Sequence, residues 1–127
     1  MAILDHLILN VNDVEASADF YTGVMGFSDD GVDGPFRVIR VSPEMTIQLA
    51  PWGTEGGEHV AFALAPDEFE ATFGRIRSSG LPYGDSFHDV GNMRGPGDEL
   101  GARGAGPTVY LFDPSQHLIE IRHYGDG

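Results

Sequence analysis

Apolar and polar residues alternate most clearly at the start, the middle and the end of the chain. From Ile3 to Val11 the sequence I-L-D-H-L-I-L-N-V predicts a strand with two faces. Leu4, His6, Ile8 and Asn10 share one face, and Ile3, Asp5, Leu7 and Leu9 share the other. Asn12-Asp13-Val14-Glu15 then carries helix-start chemistry, with Asn12 as the cap and Glu15 three residues on. Val14, Ala18, Tyr21 and Met25 recur at helical spacing until Gly26 stops the run. Beyond Phe27 the chain is punctuated by Gly31 and Gly34, and Phe36 to Val41 and Met45 to Ala50 predict two more strands.

After a loop at Gly53 to Gly57 the pattern restarts. Glu58-His59-Val60-Ala61-Phe62-Ala63-Leu64 repeats the character of Asp5 to Val11, an acid followed by a histidine on a strand, 53 residues later. Pro66-Asp67-Glu68 opens a second helix with Phe69, Phe73 and Ile76 on one face, and Gly80 closes it. Asp85 to Gly106 breaks the pattern with six glycines, one proline and charges of both signs, so a lid and a plain disordered insertion are both open there. Pro107 to Arg122 predicts two short strands around a turn at Asp113-Pro114-Ser115-Gln116. In the last strand Ile119 and Ile121 point one way, and Leu118, Glu120 and Arg122 the other. Glu120 is then either a solvated charge or an inward-facing ligand.

The order strand, helix, several strands occurs twice, which divides a single domain of residues 1–127 into halves of about 1–53 and 54–127. A pseudo-twofold relation would bring equivalent positions to one site. His6 and His59 are equivalent, and Gln48, in T-I-Q-L, is the counterpart of Glu120, in L-I-E-I, 72 residues earlier. Two imidazoles and one carboxylate, His6, His59 and Glu120, make a facial set for a divalent metal with open positions. Gln48 could offer an amide oxygen or bond a metal-bound water. Ala61 and Ala63 beside His59, with Thr46 and Ala50 beside Gln48, are small enough to leave room. His88, His117 and His123 have no such support and are expected to be solvated. For Trp52 and Phe36, pocket lining and ordinary packing are both open.

Composition narrows the partners. At 127 residues, 41% hydrophobic and with no membrane-length apolar run, the chain is expected to be a soluble domain. It has no cysteine, which excludes disulfides and thiolate chemistry, and it shows no export signal; a cytoplasmic location is expected. The net charge is −13, and all seven basic residues are arginine. Such a surface repels nucleic acid and anionic membranes and favours cationic ligands or solubility at high salt.

Three segments together resemble the vicinal oxygen chelate superfamily (glyoxalase I, type I extradiol dioxygenases, fosfomycin-resistance enzymes, methylmalonyl-CoA epimerase and bleomycin-binding proteins). They are L-D-H-L-I-L-N-V-N-D-V-E-A-S-A-D-F-Y-T-G-V-M-G-F, E-H-V-A-F-A-L and V-Y-L-F-D-P-S-Q-H-L-I-E-I. The resemblance implies an α+β fold of two βαβββ modules, a cup-shaped mixed sheet with helices outside, metal ligands at His6, His59 and Glu120, and a homodimer. It also implies an active-site tyrosine at Tyr110. Gln48 stands where glyoxalase I-like enzymes use a glutamate base, and an amide cannot take that proton. Gly101 stands where extradiol enzymes carry a further histidine, and the chain has no lysine for a fosfomycin-type anion site.

The function these residues imply is a metal-dependent enzyme that chelates a small substrate through two adjacent oxygens, leaning to dioxygenase-like chemistry. Fe²⁺ or Mn²⁺ is favoured, with Zn²⁺, Ni²⁺ and Co²⁺ as alternatives. Tyr110 would move a proton near the chelated oxygen. Arg103 and Arg122 are either substrate-anion contacts or surface arginines. An isomerase, epimerase or thiol-transferase of the same superfamily, and a metal-free protein sequestering a cationic antibiotic, are the other readings.

Overall fold

A computed structural model describes residues 1–125. The chain forms two compact units, one spanning Met1–Gly56 and one beginning at Gly57. Both are α+β, and each is a mixed sheet with a helix following its first strand.

The first unit contains β1 (His6–Asn10), α1 (Val14–Asp19), a π-helical turn (Phe20–Val24), β2 (Ser28–Asp33), β3 (Phe36–Ser42) and β4 (Met45–Ala50). The sheet order is β1-β4-β3-β2, with β1 parallel to β4 and the other pairs antiparallel. A parallel pair needs a crossover long enough to return the chain, and the helix with β2 and β3 supplies it. Leu9, Val11, Ala18, Tyr21, Met25, Ile39, Ile47 and Leu49 are buried, the apolar faces that the alternation predicted. Each large side chain buried in this way contributes about 1.5–3 kcal/mol.

Three details differ from the sequence expectation. The cap of α1 is Asp13, whose Oδ1 accepts from the Ala16 N–H at 3.0 Å. Asn12 instead accepts from the Thr54 N–H at 2.9 Å and fastens the end of the unit to the end of β1. The helix does not run unbroken to Met25. The Thr22 hydroxyl donates to the Ala18 carbonyl at 2.8 Å, and the Met25 N–H donates to Phe20, five residues back, which widens the turn. Finally, β2 is a strand made mostly of polar residues, Ser-Asp-Asp-Gly-Val-Asp, at the sheet edge. Cross-strand arginines hold it: Arg37 bonds Asp29 and Glu15, and Arg40 bonds Asp30. Its row of carboxylates blunts an otherwise open edge. The Arg37 guanidinium holds the Asp29 carboxyl down at about 2.

The second unit contains β5 (His59–Ala63), α2 (Pro66–Ser79), β6 (Tyr83–Gly84), β7 (Gly97–Gly101), β8 (Gly104–Phe112) and β9 (Leu118–Arg122). The order is β5-β9-β8-β6, with β7 paired to the first half of β8. Helix α2 runs as its signals predict, from Pro66 at its start to a left-handed Gly80 at its end. Phe69, Thr72, Phe73 and Ile76 are buried; Phe73 meets the Tyr83 ring edge-on at 5.4 Å and Phe69 meets His123 at 5.0 Å. The stretch from Asp85 to Gly106 is not wholly irregular, since its last ten residues build β7 and the start of β8.

The repeat is visible in strand register. In the first unit His6 lies beside Thr46, and Ile8, two residues on, beside Gln48. In the second His59 lies beside Leu118, and Ala61, two residues on, beside Glu120. Gln48 and Glu120 therefore hold the same lattice position relative to their histidines. Among the described residues no helix is long and apolar enough to cross a membrane.

Candidate functional site

Three adjacent strands of the second unit, β5, β9 and β8, bring His59, Glu120 and Tyr110 together. Glu120 pairs with Ala61 on one side and with Tyr110 on the other, and His59 lies two residues back along β5, on the same face as Ala61. The small Ala61 side chain leaves the imidazole free to reach the carboxylate. Glu120 is buried, 5% exposed, so it is not a solvated surface charge. Its Oε1 stands 3.0 Å from His59 Nε2 and its Oε2 accepts from Arg122 Nη1 at 3.0 Å. The His59 side chain is about half exposed, so the pair has one closed side and one open side.

Tyr110 is buried, and its ring lies edge-on to His59 with centroids 6.2 Å apart. Burial pushes its phenol up to about 12, and the carboxylates of Glu120 and Glu99 add to the shift. At neutral pH it is therefore a hydrogen-bond donor and not a base.

His6, on β1 of the first unit, is exposed, and its Nδ1 lies 2.7 Å from Asp5 Oδ2. A carboxylate on one imidazole nitrogen orients the ring and leaves Nε2 as the ligating atom, as in many metal-bound histidines. Gln48 is half-buried on β4, between the buried Thr46 and Ala50. Trp52 is 60% exposed and packs edge-on to Phe36 at 5.6 Å. Arg103, in the turn between β7 and β8, lies over the Tyr124 ring at 4.2 Å.

Three expectations are corrected. Arg122 is neither a surface arginine nor turned to a substrate anion: it is 3% exposed and bonds Glu120 and the carbonyls of Glu99 and Gly104. His117 is not solvated but 1% exposed. Asp113 Oδ1 accepts from the N–H groups of Ser115 and His117, each at 2.9 Å, and His117 Nδ1 accepts from the Glu58 N–H at 3.2 Å. The turn thus sets the start of β5 beside His59. His123 is half-buried against Phe69, and His88 alone of the three is exposed, stacked on Phe87 at 3.9 Å. The Arg122 contact had a sequence signal, since Glu120 and Arg122 are two apart on one strand face. The other two had none.

The donor set suits a first-row divalent ion. His59 Nε2 and Glu120 Oε1 are hydrogen-bonded to each other at 3.0 Å, a separation that two ligands about 2.1 Å from an ion and at right angles would also have. Among the described residues no group of three or more His, Cys, Asp or Glu side chains stands clustered for a metal. The pair in the second unit therefore supplies two donors of the expected three.

Strand order and register together define an α+β protein of two related units, each a mixed sheet with one helix after its first strand. The profile of the Glyoxalase/Bleomycin resistance protein/Dioxygenase superfamily matches residues 3–121, and the chain belongs to this family. It is similar to the virulence protein STM3117 of Salmonella typhimurium, 29% identical over 126 residues that span 95% of this chain and 83% of that one. It is also similar to the glyoxalase domain-containing protein RDO1 of Mycosarcoma maydis, 27% identical over 97% of this chain and 69% of that protein. Among solved structures, the oxidase ChaP-H1 superposes with a TM-score of 0.78 at 30% identity, covering 98% of this chain and 97% of that one.

Proposed function

We propose that this chain is a divalent-metal-dependent enzyme, a cytoplasmic homodimer, in which His6, His59 and Glu120 hold the ion and a small substrate approaches it through two adjacent oxygens. The observation that carries the reading is the buried Glu120 carboxylate, which faces the half-exposed His59 imidazole at ligand spacing. Fe²⁺ or Mn²⁺ fits a two-imidazole, one-carboxylate set best. The likeness to the oxidase ChaP-H1 supports the dioxygenase-like form of the reading. When bound, the ion supplies Lewis acidity toward the substrate oxygens and, as Fe²⁺, redox capacity toward O₂.

The chain's own residues do the rest. Tyr110, held neutral by burial, donates a hydrogen bond or a proton to a substrate oxygen as negative charge grows there. Gln48 orients substrate or water through its amide and cannot serve as a base. Arg103 and Trp52 contact the outer part of the substrate. The test is oxygen consumption with a panel of catechols after Fe²⁺ reconstitution. Uptake by the native chain that disappears in His59→Ala supports the reading. No uptake across the panel, together with isomerisation of a CoA thioester or hemithioacetal, would assign the chain to the isomerases.

The net charge of −13 favours one second reading, a metal-free protein that sequesters a cationic drug. Titration with a cationic glycopeptide, with and without chelator, separates the two: chelator-independent binding supports sequestration.

A further inference from the structure

We infer that Arg122 is a positioning residue that ties Glu120 to the β7–β8 hairpin, with Gly101 reserving the space its guanidinium occupies. This rests on the reading of Glu120 as a metal ligand.

Arg122 is 3% exposed, and its contacts divide between two structures. Nη1 donates to Glu120 Oε2 at 3.0 Å, whereas Nη2 donates to the carbonyls of Glu99 and Gly104, both at 3.1 Å. Glu99 belongs to β7 and Gly104 opens β8, so the hairpin holds the guanidinium from both of its strands. Tyr124 covers it, with the guanidinium carbon 4.5 Å from the ring centroid. Arg122 Nε is buried without a partner among the described residues. The side chain thus leaves one donor unmet while it reaches Glu120 and both hairpin carbonyls. Because Arg122 holds Oε2, only Oε1 of Glu120 is presented toward His59, which fixes the carboxylate as a one-oxygen ligand.

Gly101 is where the hairpin meets this assembly. A Cβ there would fall 2.4 Å from Arg122 Cζ, 2.5 Å from Arg122 Nη1 and 2.3 Å from Tyr124 Oη. Its backbone has no positive φ, so alanine suits the local conformation and the conflict is with the Arg122 guanidinium and the Tyr124 hydroxyl beside it. Gly101→Ala therefore displaces Arg122 without touching Glu120 or His59.

Two readouts test the inference on the full chain: the imidazole nitrogen resonances of His59 in metal-free protein, and Mn²⁺ affinity by titration. Arg122→Met and Gly101→Ala are expected to shift the His59 resonances and to weaken Mn²⁺ binding about 10- to 100-fold, the usual cost of losing a partner behind a ligand. Arg122→Lys, which keeps one donor for Glu120, should recover part of both. Leu100→Ala, at a position 81% exposed on the same strand, should change neither. If Arg122→Met does not fold, Gly101→Ala carries the test. Native affinity and unmoved His59 resonances in Gly101→Ala would overturn the inference. If the native chain takes up no Mn²⁺, Fe²⁺ or other divalent ion, the metal reading fails, and the metal-free resonances alone decide whether Arg122 positions Glu120.

Discussion

The two units share one scaffold and differ in what it carries. Each lays its first strand parallel to its last in the same register, so Gln48 and Glu120 occupy matching positions. Two residues further along, the first unit has Ala50 and the second has Arg122. The first histidine leans on the acid just before it, Asp5, whereas the second leans on the strand beside it, at Glu120. A neutral amide needs no counter-charge. A buried carboxylate does, because a charge removed from water must be paired and hydrogen-bonded. The change from glutamine to glutamate therefore goes with Arg122, whose guanidinium is held by carbonyls of the β7–β8 hairpin.

Removing the counter-charge should do most damage. Arg122→Met leaves Glu120 buried without its arginine counter-charge and with only the half-exposed His59 beside it, and about 3–5 kcal/mol of stability should be lost, read from the midpoint of urea unfolding. A loss below about 1 kcal/mol would mean that the pair is better solvated than its 3% and 7% side-chain exposures indicate.

The converse change is smaller. Gln48→Glu puts a carboxylate at the matching position with Ala50 where an arginine would be needed. Gln48 is only half-buried, so a cost of about 1–3 kcal/mol is expected, and Ala50→Arg should not restore it, because Ala50 is fully buried with no space for a guanidinium. Full stability of the single variant would show that the first unit tolerates the second unit's chemistry.

The smallest effect is alkaline. The Tyr110 phenol is raised from 10.0 to about 12. Between those values the unfolded chain releases this proton and the folded chain keeps it. The neutral phenol's contribution is thus complete below pH 10 and is lost as pH rises through 12. Ultraviolet titration should show one tyrosine ionising about two units late, and Tyr110→Phe should remove that step.

The patterned parts of this molecule were legible in the sequence, and the charge-stitched parts were not. Residues such as Leu9, Ile47, Phe69 and Ile119 repeat with the period of their element because one face must leave water, so strands, helices and the two-fold repeat could be read directly. β2 escaped because an acidic edge strand is held by Arg37 and Arg40 and has little apolar alternation to show. β7 escaped because its partner in packing is a guanidinium, which calls for glycine at position 101 and not for a hydrophobic side chain. His117 was misread because its burial comes from the hydrogen bonds of the Asp113 turn, which no periodicity encodes. Of the candidate site, His59, Glu120 and Tyr110 were found through register and resemblance, and the role of Arg122 needed coordinates.

The most direct measurement is the metal content of the purified chain and of His6→Ala, His59→Ala and Glu120→Ala, each reconstituted with Fe²⁺ or Mn²⁺ and freed of excess ion. The account predicts about one ion per native chain and a large loss in all three variants. Native stoichiometry retained in His59→Ala and Glu120→Ala would contradict it.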